Sequence, residues 1–440
     1  MRVAVVGAGY VGLVTAACLS EFGFEVICID KEADKVERLR QGEIPIHEPG
    51  LDGLVFANQR AGRLDFSDDL ASAVRGAGVV FIAVGTPSRR GEDAADLAFV
   101  RAAAEQIGRA LNGFTVVVTK STVPVGTARM LEALIGNVRP DADFAMASNP
   151  EFLREGSAVE DFLRPDRIVV GLSSDKARER MSELYRPLMQ RGVPLLFTNF
   201  ETAELIKYAA NAYLATRIGF INEMADLCEA VGADVSAVTR GMGLDRRIGL
   251  HYLQPGPGFG GSCFPKDTRA LTSIAKQAGA RSRIVEAVIE ANAARKDSLA
   301  ERIAAAVGGA LRNKRVAVLG LSFKAETDDL RDAASFVVIP ALQKQGATIA
   351  AYDPVAIAAA RPLLPDVTWC GDAYETAKDA DAIVVLTEWN EFRGLDLRRL
   401  AAQMRKPVLI DFRNIYSAGD VAKTPFVYHS LGRATVTPGA

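Results

Sequence analysis

The sequence predicts an α/β protein in which two Rossmann-like, doubly wound parallel sheets are joined by a central helical domain. In the first and last parts of the chain, short apolar runs alternate with helical stretches, a pattern typical of parallel sheets covered by helices on both faces. The middle of the chain shows long helical patterns without strands. We therefore expect domains at residues 1–198, 199–298 and 299–440.

The first domain is predicted to begin with a strand at Val3–Val6 and a helix over Val11–Phe22. Its further strands are expected at Glu25–Ile29, Val79–Val84, Thr115–Thr119 and Phe144–Ser148. The last domain is expected to contain strands at Arg315–Leu319, Thr348–Tyr352, Ala382–Thr387 and Pro407–Asp411. Between them, helical patterns run from Glu201 to about Val231 and from about Ile284 to Val307, which suits a spacer and dimerisation element.

The composition excludes several classes of function. A formal net charge of −2 provides no overall basic field for nucleic acid. The five cysteines include no CxxC pair, and only three histidines are present, so we expect no zinc ribbon, disulfide scaffold or metal site. The N-terminus lacks a signal-peptide pattern, and no apolar run is long enough to span a bilayer. These features predict a cytoplasmic protein without a membrane or nucleic-acid partner.

The strongest local motif is a GxGxxG turn directly after the first strand. It consists of Gly7, Gly9 and Gly12, with Tyr10 and Val11 between the last two glycines. Such glycines allow a tight turn and bring a pyrophosphate close to a helix N-terminus. Asp30 ends the next strand, where a carboxylate accepts hydrogen bonds from a ribose and repels a 2′-phosphate, so NAD is favoured over NADP. Lys35 follows on the next helix and is expected to border the same site. The alternative is a strand–turn–helix that binds nothing.

Hydroxyl side chains follow two later strands of the first sheet. Thr86 lies just after one predicted strand, and Ser121 and Thr122 lie just after the next. Ligands collect at the carboxyl ends of strands in open parallel sheets, so these residues are candidates for contacts with the cofactor or water. Ordinary helix capping is the alternative explanation.

Two pairs of polar residues are spaced by one helical turn. Glu151 and Glu155 would share a face if their segment is helical, and they follow a predicted strand end. Lys207 and Asn211 share a face that is otherwise apolar, so the Lys207 ammonium needs a partner or a function. An ammonium beside an amide suits a sugar hydroxyl and the oxyanion derived from it. A solvated helix face for the first pair and a snorkelling lysine for the second remain alternatives.

The most informative segment is a glycine-rich loop that contains a cysteine. Cys263 follows Phe259, Gly260 and Gly261 and precedes Pro265, a residue suited to the first turn of a helix. A helix N-terminus and the nearby Lys266 both favour the thiolate form, so Cys263 is predicted to be a nucleophile. A structural cysteine would more commonly lie among apolar residues.

Motifs along nearly the whole chain resemble the UDP-glucose/GDP-mannose dehydrogenase family. They include VVGAGYVGLVTAACLSEFGFEV, IPIHEPGL, KSTVPVGT, SNPEFLREG, ELIKYAANAYLATRIGFINE, GFGGSCFPKD, LGLSFKAETDDLRDAAS and IDFRNIY, in the order found in the family. GFGGSCFPKD is more similar to the UDP-glucose branch than to the branches that oxidise GDP-mannose or UDP-N-acetylsugars.

The resemblance implies roles for residues at matching positions. It implies that Cys263 forms a thiohemiacetal and then a thioester, that Lys207, Asn211 and Asp267 surround the reacting sugar carbon, and that Glu151 with Thr122 activates water. Residues implied in NAD binding are Gly7, Gly9, Tyr10, Val11, Gly12, Asp30, Lys35, Thr86, Ser121, Thr122, Glu155, Lys266 and Arg331. Residues implied in substrate binding are Glu151, Phe152, Leu153, Arg154, Glu155, Lys207, Asn211, Arg247, Phe259, Gly260, Gly261, Phe323, Lys324 and Arg413. Arg247 is implied to reach the substrate in the partner subunit of a homodimer.

The expected reaction is the oxidation of UDP-glucose to UDP-glucuronate with two NAD. One alternative is a sister activity on GDP-mannose or a UDP-N-acetylsugar. A two-electron dehydrogenase of a hydroxy acid or sugar phosphate is a second alternative, although it would need neither Cys263 nor a third domain. A non-catalytic sensor of NAD or nucleotide sugar is a third, and it fits poorly with the many polar residues at strand ends.

Overall fold

The computed structural model describes residues 1–87 and 95–439, which form two compact units. The first unit comprises Met1–Ala210 together with Ser273–Gly279. The second comprises Asn211–Thr272 together with the chain from Ala280 onward. Helices α9 and α11 each contain residues of both units. The division into three domains at residues 198 and 298 remains a prediction.

The first unit is built on an eight-stranded sheet with the order β3-β2-β1-β4-β5-β6-β7-β8. All neighbouring strands are parallel except β6 and β7, which are antiparallel, and the predicted doubly wound parallel-sheet fold is confirmed. The strands are β1 (Arg2–Val6), β2 (Glu25–Ile29), β3 (Leu64–Ser67), β4 (Val79–Ile82), β5 (Thr115–Thr119), β6 (Phe144–Ser148), β7 (Ile168–Leu172) and β8 (Leu195–Thr198).

Helices cover this sheet and connect its strands. They are α1 (Tyr10–Glu21), α2 (Ala33–Arg40), α3 (Leu51–Arg60), α4 (Leu70–Val74), α5 (Ala98–Ala110), α6 (Thr127–Val138), α7 (Ala158–Leu163) and α8 (Asp175–Met189). The central strands are buried on both faces, as expected for a sheet between two helical layers. They pack with α1, α5 and α6 into one apolar core.

Long helices dominate the middle of the chain, as predicted. They are α9 (Phe200–Val231), α10 (Val235–Gly243), α11 (Phe264–Gln277) and α12 (Arg283–Ala306). None of the described helices is long and apolar enough to cross a membrane.

The second unit contains a six-stranded parallel sheet with the order β11-β10-β9-β12-β13-β14. Its strands are β9 (Arg315–Leu319), β10 (Thr348–Tyr352), β11 (Val367–Trp369), β12 (Ala382–Val385), β13 (Val408–Asp411) and β14 (Val427–Ser430). Its helices are α13 (Ser335–Lys344), α14 (Ile357–Ala360), α15 (Ala373–Ala377), α16 (Asn390–Arg393), α17 (Leu397–Ala402) and α18 (Ala418–Val421). The first six strands of the other sheet follow the same order, so the expected similarity between the two α/β domains is confirmed.

Candidate active site

The glycine turn, Gly7–Gly12, joins β1 to α1 as the motif predicts. Gly7 has a φ of 107°, and a Cβ there would lie 2.7 Å from the Ala83 carbonyl oxygen. A Cβ on Gly12 would lie 1.7 Å from the Gly7 carbonyl oxygen, so only glycine fits this position. A Cβ on Gly9 would meet nothing within 4 Å. The backbone is therefore tightly packed at Gly7 and Gly12, whereas space is open at Gly9, just before α1 begins at Tyr10. Pyrophosphate binding requires this arrangement.

Asp30 lies directly after β2, at the edge of this turn. Its carboxylate accepts hydrogen bonds from the Ala8 amide at 2.9 Å, the Glu32 amide at 3.2 Å and the Lys35 ammonium at 2.9 Å. Partial burial alone would raise the pKa of Asp30, but these donors outweigh it and hold the pKa below its usual value. Three donors leave capacity on a carboxylate that can accept about four hydrogen bonds. The ionised group can therefore still accept a ribose hydroxyl.

The hydroxyl groups that follow β4 and β5 form hydrogen bonds between the two loops. The Thr86 hydroxyl donates to the Thr122 carbonyl at 2.9 Å, and the Ser121 hydroxyl donates to the Val84 carbonyl at 2.6 Å. Neither hydroxyl caps a helix, since α6 begins after Gly126. The oxygens remain available as acceptors at the carboxyl edge of the sheet, where a dinucleotide binds in this type of fold.

A buried ion pair lies beyond the end of β6. The Lys207 ammonium is 2.9 Å from the Glu151 carboxylate, and the side chains are only 3% and 6% exposed, respectively. Burial by itself would raise the pKa of Glu151, but Lys207, the Leu153 amide and Lys120 lower it below its usual value. Glu151 is therefore ionised at neutral pH. The buried Lys207 ammonium therefore has a charged partner, as its apolar helix face required.

The prediction that Glu151 and Glu155 share a helical face is wrong. Residues 149–154 have no helical structure, and α7 begins only at Ala158. The Glu151 carboxylate accepts a hydrogen bond from the Leu153 amide at 2.6 Å, which turns the backbone locally instead of continuing a helix. Glu151 therefore points to Lys207 because of a loop conformation that helical spacing does not describe.

The loop Phe152–Glu155 is held by contacts within the first unit. The Arg154 guanidinium pairs with Asp161 at 2.6 Å, and the Phe152 ring packs under Arg167. Glu48 supports the next turn, because its carboxylate accepts hydrogen bonds from the Gly156 and Ala158 amides at 2.7 Å each.

Glu48 also accepts a short hydrogen bond from the Tyr10 hydroxyl, which connects the loop to the glycine turn. Sequence reasoning assigned Glu48 no role, although the residue lies in the IPIHEPGL motif. A carboxylate that bonds backbone amides about 110 residues away leaves no signature in local spacing.

Lys120 is another buried cation that sequence reasoning left without a role. Its ammonium donates to the Asn149 side-chain oxygen at 2.9 Å, and its side chain lies near the Phe81 and Phe162 rings. Burial lowers the pKa of Lys120 to about 8, and the neighbouring Lys207 lowers it while Glu151 opposes that change. The only signal in the sequence is a lysine between a buried strand and two hydroxyl residues.

In the second unit, Cys263 directly precedes α11. Its carbonyl accepts the hydrogen bond of the Asp267 amide at 2.8 Å, which makes Cys263 the capping residue of the helix. Its thiol lies 3.4 Å from the Ser262 hydroxyl and is partly exposed, whereas the other four cysteines are buried. Cys263 therefore occupies the helix N-terminus that the sequence predicts, in contact with solvent.

Asp267 and Asn211 form a second polar pair. The Asn211 amide nitrogen donates to the Asp267 carboxylate at 2.6 Å, and Asp267 is 1% exposed. The Lys266 ammonium lies 2.9 Å from the other carboxylate oxygen of Asp267. The structure thus connects three predicted site residues around the start of α11. Asn211 also lies one turn after Lys207 on α9, as the sequence spacing indicates.

The glycines before Cys263 allow close packing within the second unit. A Cβ on Gly260 would lie 2.5 Å from the Asp332 carbonyl oxygen, and one on Gly261 would lie 2.7 Å from the Phe323 ring. The Phe259 amide donates to the Asn292 side chain at 2.8 Å, and Phe259 is buried. The glycines therefore bring the loop against Phe323, another predicted substrate residue.

The remaining predicted contacts are cations of the second unit. The Arg413 guanidinium donates to the Phe323 and Leu386 carbonyls and lies 3.0 Å from Glu388. The Lys324 ammonium lies 5.6 Å from the centre of the Phe323 ring. Arg413 and Lys324 are thus both next to Phe323.

Two other cations predicted to bind ligands are exposed. The Arg331 side chain is 65% exposed and pairs with Asp329 at 2.8 Å. The Arg247 side chain is 89% exposed and pairs with Asp245 at 2.6 Å.

Three consecutive regions of the chain match one family of enzymes. Residues 1–189 match the NAD binding domain of the UDP-glucose/GDP-mannose dehydrogenase family, and residues 201–294 match its central domain. Residues 317–418 match its UDP binding domain. The chain belongs to the UDP-glucose/GDP-mannose dehydrogenase family. The predicted family and the assignment of NAD to the first domain are thereby confirmed.

Curated members of the UDP-glucose/GDP-mannose dehydrogenase family match over nearly the full length of the chain. A UDP-glucose 6-dehydrogenase of Rhizobium meliloti is 54% identical over 98% of this chain and 100% of its own length. The UDP-glucose 6-dehydrogenase TuaD of Bacillus subtilis is 46% identical over 99% of this chain and 94% of its own length. Both relatives favour the UDP-glucose branch that the GFGGSCFPKD motif indicated.

Solved structures of this dehydrogenase family share the fold. A UDP-glucose dehydrogenase from Pyrobaculum islandicum has a TM-score of 0.90 at 37% identity and covers 98% of each chain. A UDP-D-ManNAc dehydrogenase from Pyrococcus horikoshii has a TM-score of 0.84 at 26% identity and covers 98% of this chain and 99% of its own. Enzymes of different sugar specificity thus have this architecture, so the fold alone does not select the sugar.

Proposed function

We propose that this protein oxidises UDP-glucose to UDP-glucuronate in two NAD-dependent steps, with Cys263 as the covalent nucleophile. The observation that carries the proposal is the partly exposed thiol of Cys263 at the N-terminus of α11, beside the Asn211–Asp267 pair. A simple two-electron dehydrogenase has no need for a nucleophile at this position. The UDP-glucose 6-dehydrogenases of Rhizobium meliloti and Bacillus subtilis support the choice of sugar.

The glycine turn and Asp30 fit NAD, which supplies the hydride acceptor for each oxidation. The first oxidation removes a hydride from C6 of glucose and the proton of the 6-hydroxyl group, and it produces an aldehyde. The Cys263 thiolate then adds to the aldehyde carbon and the oxygen takes up a proton. The resulting thiohemiacetal loses its hydroxyl proton and a second hydride to become a thioester. Water attacks the thioester carbon, the carbon–sulfur bond breaks, and the uronate carboxylate leaves with the thiol regenerated. Covalent capture retains the aldehyde and divides a difficult oxidation into easier steps.

Lys207 and Asn211 are proposed to stabilise the negative charge that develops on the sugar oxygen. An ammonium and an amide N–H are suitable donors for such an oxyanion. Glu151 is the proposed base for the attacking water, with Thr122 assisting, because its lowered pKa keeps it ionised at neutral pH. Asp267 is proposed to exchange protons with the water and with Lys207.

The substrate contacts outside the reacting carbon follow the family positions. We propose that Phe152, Leu153, Arg154 and Glu155 contact the substrate, and that Phe259, Gly260 and Gly261 line the sugar and diphosphate pocket. Phe323, Lys324 and Arg413 are proposed to bind the nucleotide. For NAD, the proposed contacts beyond the glycine turn are Asp30, Lys35, Thr86, Ser121, Thr122, Glu155, Lys266 and Arg331.

The decisive experiment measures the NADH formed per UDP-glucose, with NAD in excess and the product identified by mass spectrometry. We expect two NADH per sugar and a uronate. One NADH would indicate a two-electron dehydrogenase. No turnover with UDP-glucose, but turnover with GDP-mannose or a UDP-N-acetylsugar, would move the protein to a sister activity.

A matched pair of cysteine variants tests the covalent step. Cys263→Ser is expected to lower the rate of uronate formation at least about 1000-fold while NAD binding is retained, because a hydroxyl is a far weaker nucleophile at neutral pH. Cys370→Ser is the control, since Cys370 is buried in the second unit and its thiol donates to the Thr368 carbonyl, a bond that a hydroxyl can also make. Full activity of Cys263→Ser would refute the thioester mechanism.

We further propose that the protein is a homodimer to which Arg247 contributes across subunits. Three large apolar residues, Tyr213, Phe220 and Leu227, are spaced by seven on α9 and are 62%, 42% and 50% exposed. Such a stripe on a long helix suits a second copy of the same helix. Arg247 is exposed and is paired with Asp245, two residues before it, which leaves its guanidinium accessible to a ligand of a partner subunit.

The assembly can be tested by light scattering after size-exclusion chromatography. Leu227→Lys should lower the measured mass to that of a monomer, because it places a charge in the apolar stripe. Leu363→Lys is the control, since Leu363 is 60% exposed but lies outside the stripe. A monomeric wild-type protein with full activity would refute both the homodimer and the role of Arg247 across subunits.

A further inference from the structure

Helix α6 is capped by a side chain from a different helix. Its N-cap residue is Gly126, which has no side chain to satisfy the first amides of the helix. The Glu204 carboxylate instead accepts hydrogen bonds from the Gly126 amide at 2.6 Å and the Ala128 amide at 2.8 Å. Glu204 lies on α9 and is 2% exposed. One buried carboxylate thus joins the beginning of α6 to α9.

Both ends of this connection carry residues of the proposed reaction. The loop that leads into α6 contains Ser121 and Thr122, and its position is further set by the bond from Thr86 to the Thr122 carbonyl. On α9, Glu204 precedes Lys207 by three residues, so the two lie on neighbouring positions of one helical face. Lys207 in turn pairs with Glu151. A shift of Glu204 relative to α6 would therefore change the spacing between Thr122 and the Lys207–Glu151 pair.

Stability alone does not explain a buried glutamate at this position. Burial raises the pKa of Glu204 to about 7, against the lowering effect of the amides of Ala128 and Gly126 and together with the nearby Glu201. The charged form therefore has a desolvation cost, whereas a short polar residue at the N-cap usually satisfies the same amides at the surface. A carboxylate from α9 adds something that a local cap cannot, namely a fixed distance between two helices.

We propose that Glu204 is a positioning residue that sets the Ser121–Thr122 loop against the helix of Lys207. This inference rests on the proposed roles of Thr122 and Lys207 in the reaction. Glu204 acts only through α6 and α9, so its loss should lower the rate of the chemical steps more than the affinity for UDP-glucose. Displacements of about 1 Å at a reacting centre can lower a rate about 100-fold.

The test compares Glu204→Gln with Glu201→Gln in the full-length protein. A glutamine keeps the shape but has only one acceptor oxygen and places an NH2 group against one amide. Glu201 also connects α9 to α6, through Arg129 at 2.7 Å, but this ion pair lies at the surface. For Glu204→Gln we expect kcat to fall ten- to hundredfold with KM for UDP-glucose changed less than about threefold. Glu201→Gln should change kcat less than about twofold.

Hydrogen exchange provides a readout that does not depend on turnover. In Glu204→Gln, the peptide spanning residues 121–130 should exchange faster than in the wild type, whereas in Glu201→Gln it should not. Faster exchange with an unchanged kcat would show that Glu204 is only a structural cap and would overturn the proposal. If the wild type failed to form two NADH per UDP-glucose, the proposed function would fail, yet the exchange result would still report on the cap.

A conservative variant covers the case in which Glu204→Gln does not fold. Glu204→Asp keeps the charge and both acceptor oxygens but shortens the side chain by one methylene. It should therefore change the position of α6 relative to α9. We expect its kcat to fall at least threefold, between the values of the wild type and Glu204→Gln. A Glu204→Asp variant with wild-type kcat and wild-type exchange in residues 121–130 would overturn the proposal.

Discussion

The two sheets begin in the same way and then diverge. In each, a glycine with positive φ follows the first strand, Gly7 after β1 and Gly320 after β9. A Cβ on Gly7 would lie less than 3 Å from Ala83, just after β4, and one on Gly320 less than 3 Å from Thr387, just after β12. In the first sheet α1 starts three residues later, at Tyr10. In the second sheet a long loop that includes Phe323 and Lys324 precedes the next helix, α13. A helix N-terminus therefore faces the turn only in the first sheet.

The acid that follows the second strand of each sheet differs in its remaining capacity to accept hydrogen bonds. Asp30 has three hydrogen-bond donors and borders the glycine turn. Asp353, 1% exposed, accepts from the amides of Leu321, Ser322, Val355 and Ala356, the Ser322 hydroxyl and the Trp389 indole. Six donors saturate its two oxygens, so no ribose hydroxyl can be accepted. Acids at equivalent positions of the two sheets therefore differ, because Asp353 is saturated by internal hydrogen bonds whereas Asp30 retains the capacity to accept one from a ligand.

The largest expected difference between the two acids concerns stability. Asp353→Ala leaves several buried donors without an acceptor and should destabilise the protein by about 3–5 kcal/mol. Asp30→Ala should cost less than about 1 kcal/mol, because two of its three donors, Glu32 and Lys35, are at least partly exposed and can bond water instead. The measurement is the midpoint of thermal or urea unfolding for both variants. Equal destabilisation by the two substitutions would contradict the comparison.

The next largest effect is expected on NAD affinity when the glycine turn is substituted. Gly12→Ala places a Cβ 1.7 Å from the Gly7 carbonyl oxygen, so the turn must open and the pyrophosphate site should be lost. We expect NAD affinity, measured by calorimetry, to fall at least about 100-fold, along with a loss of about 1–3 kcal/mol in stability. Gly136→Ala in α6 is the control, since a Cβ there meets nothing within 4 Å. Unchanged NAD binding in Gly12→Ala would place the cofactor elsewhere.

A moderate effect is expected on the choice of cofactor. Asp30→Ala removes the charge that repels a 2′-phosphate and leaves Lys35 to attract it, so the ratio of kcat/KM for NAD to that for NADP should fall at least about tenfold. Asp34→Ala is a suitable control, because Asp34 is an exposed acid on α2. A wild-type enzyme that uses both cofactors equally would show that Asp30 has been misinterpreted.

The smallest expected effect is the pH dependence of stability. The pKa of Asp30 is lower in the folded protein than its ordinary value of 3.8, so its contribution to stability is fully present above that value. The contribution is lost as the pH falls through the folded pKa. The difference in unfolding midpoint between the wild type and Asp30→Ala should therefore shrink in acid below about pH 4. A difference that grows in acid would mean that the folded protein raises the pKa of Asp30.

The central strands were predictable because they are short, apolar and buried on both faces. The predicted bounds of β2, β5, β6, β9 and β10 coincide with those in the structure. The prediction missed β3, β7, β8, β11 and β14. The residues of β3, β8 and β11 are partly exposed and carry a weaker apolar pattern, whereas β7 is buried throughout, so exposure does not explain its omission. The helical assignment around Glu151 failed for a different reason. Its conformation depends on Lys207 and on a local turn, and neither is visible in the spacing of two glutamates.

The sequence by itself determined the order of elements, the glycine turn, the cysteine at a helix start and the family. Each of these is encoded by neighbouring residues, either as a periodic apolar pattern or as a motif with a local backbone requirement. Only the tertiary structure decided that Asp30 retains acceptor capacity while Asp353 does not, and that Glu204 caps a helix formed 76 residues earlier. Burial and hydrogen-bond saturation depend on partners from distant parts of the chain, and no local pattern specifies which partner a carboxylate will meet.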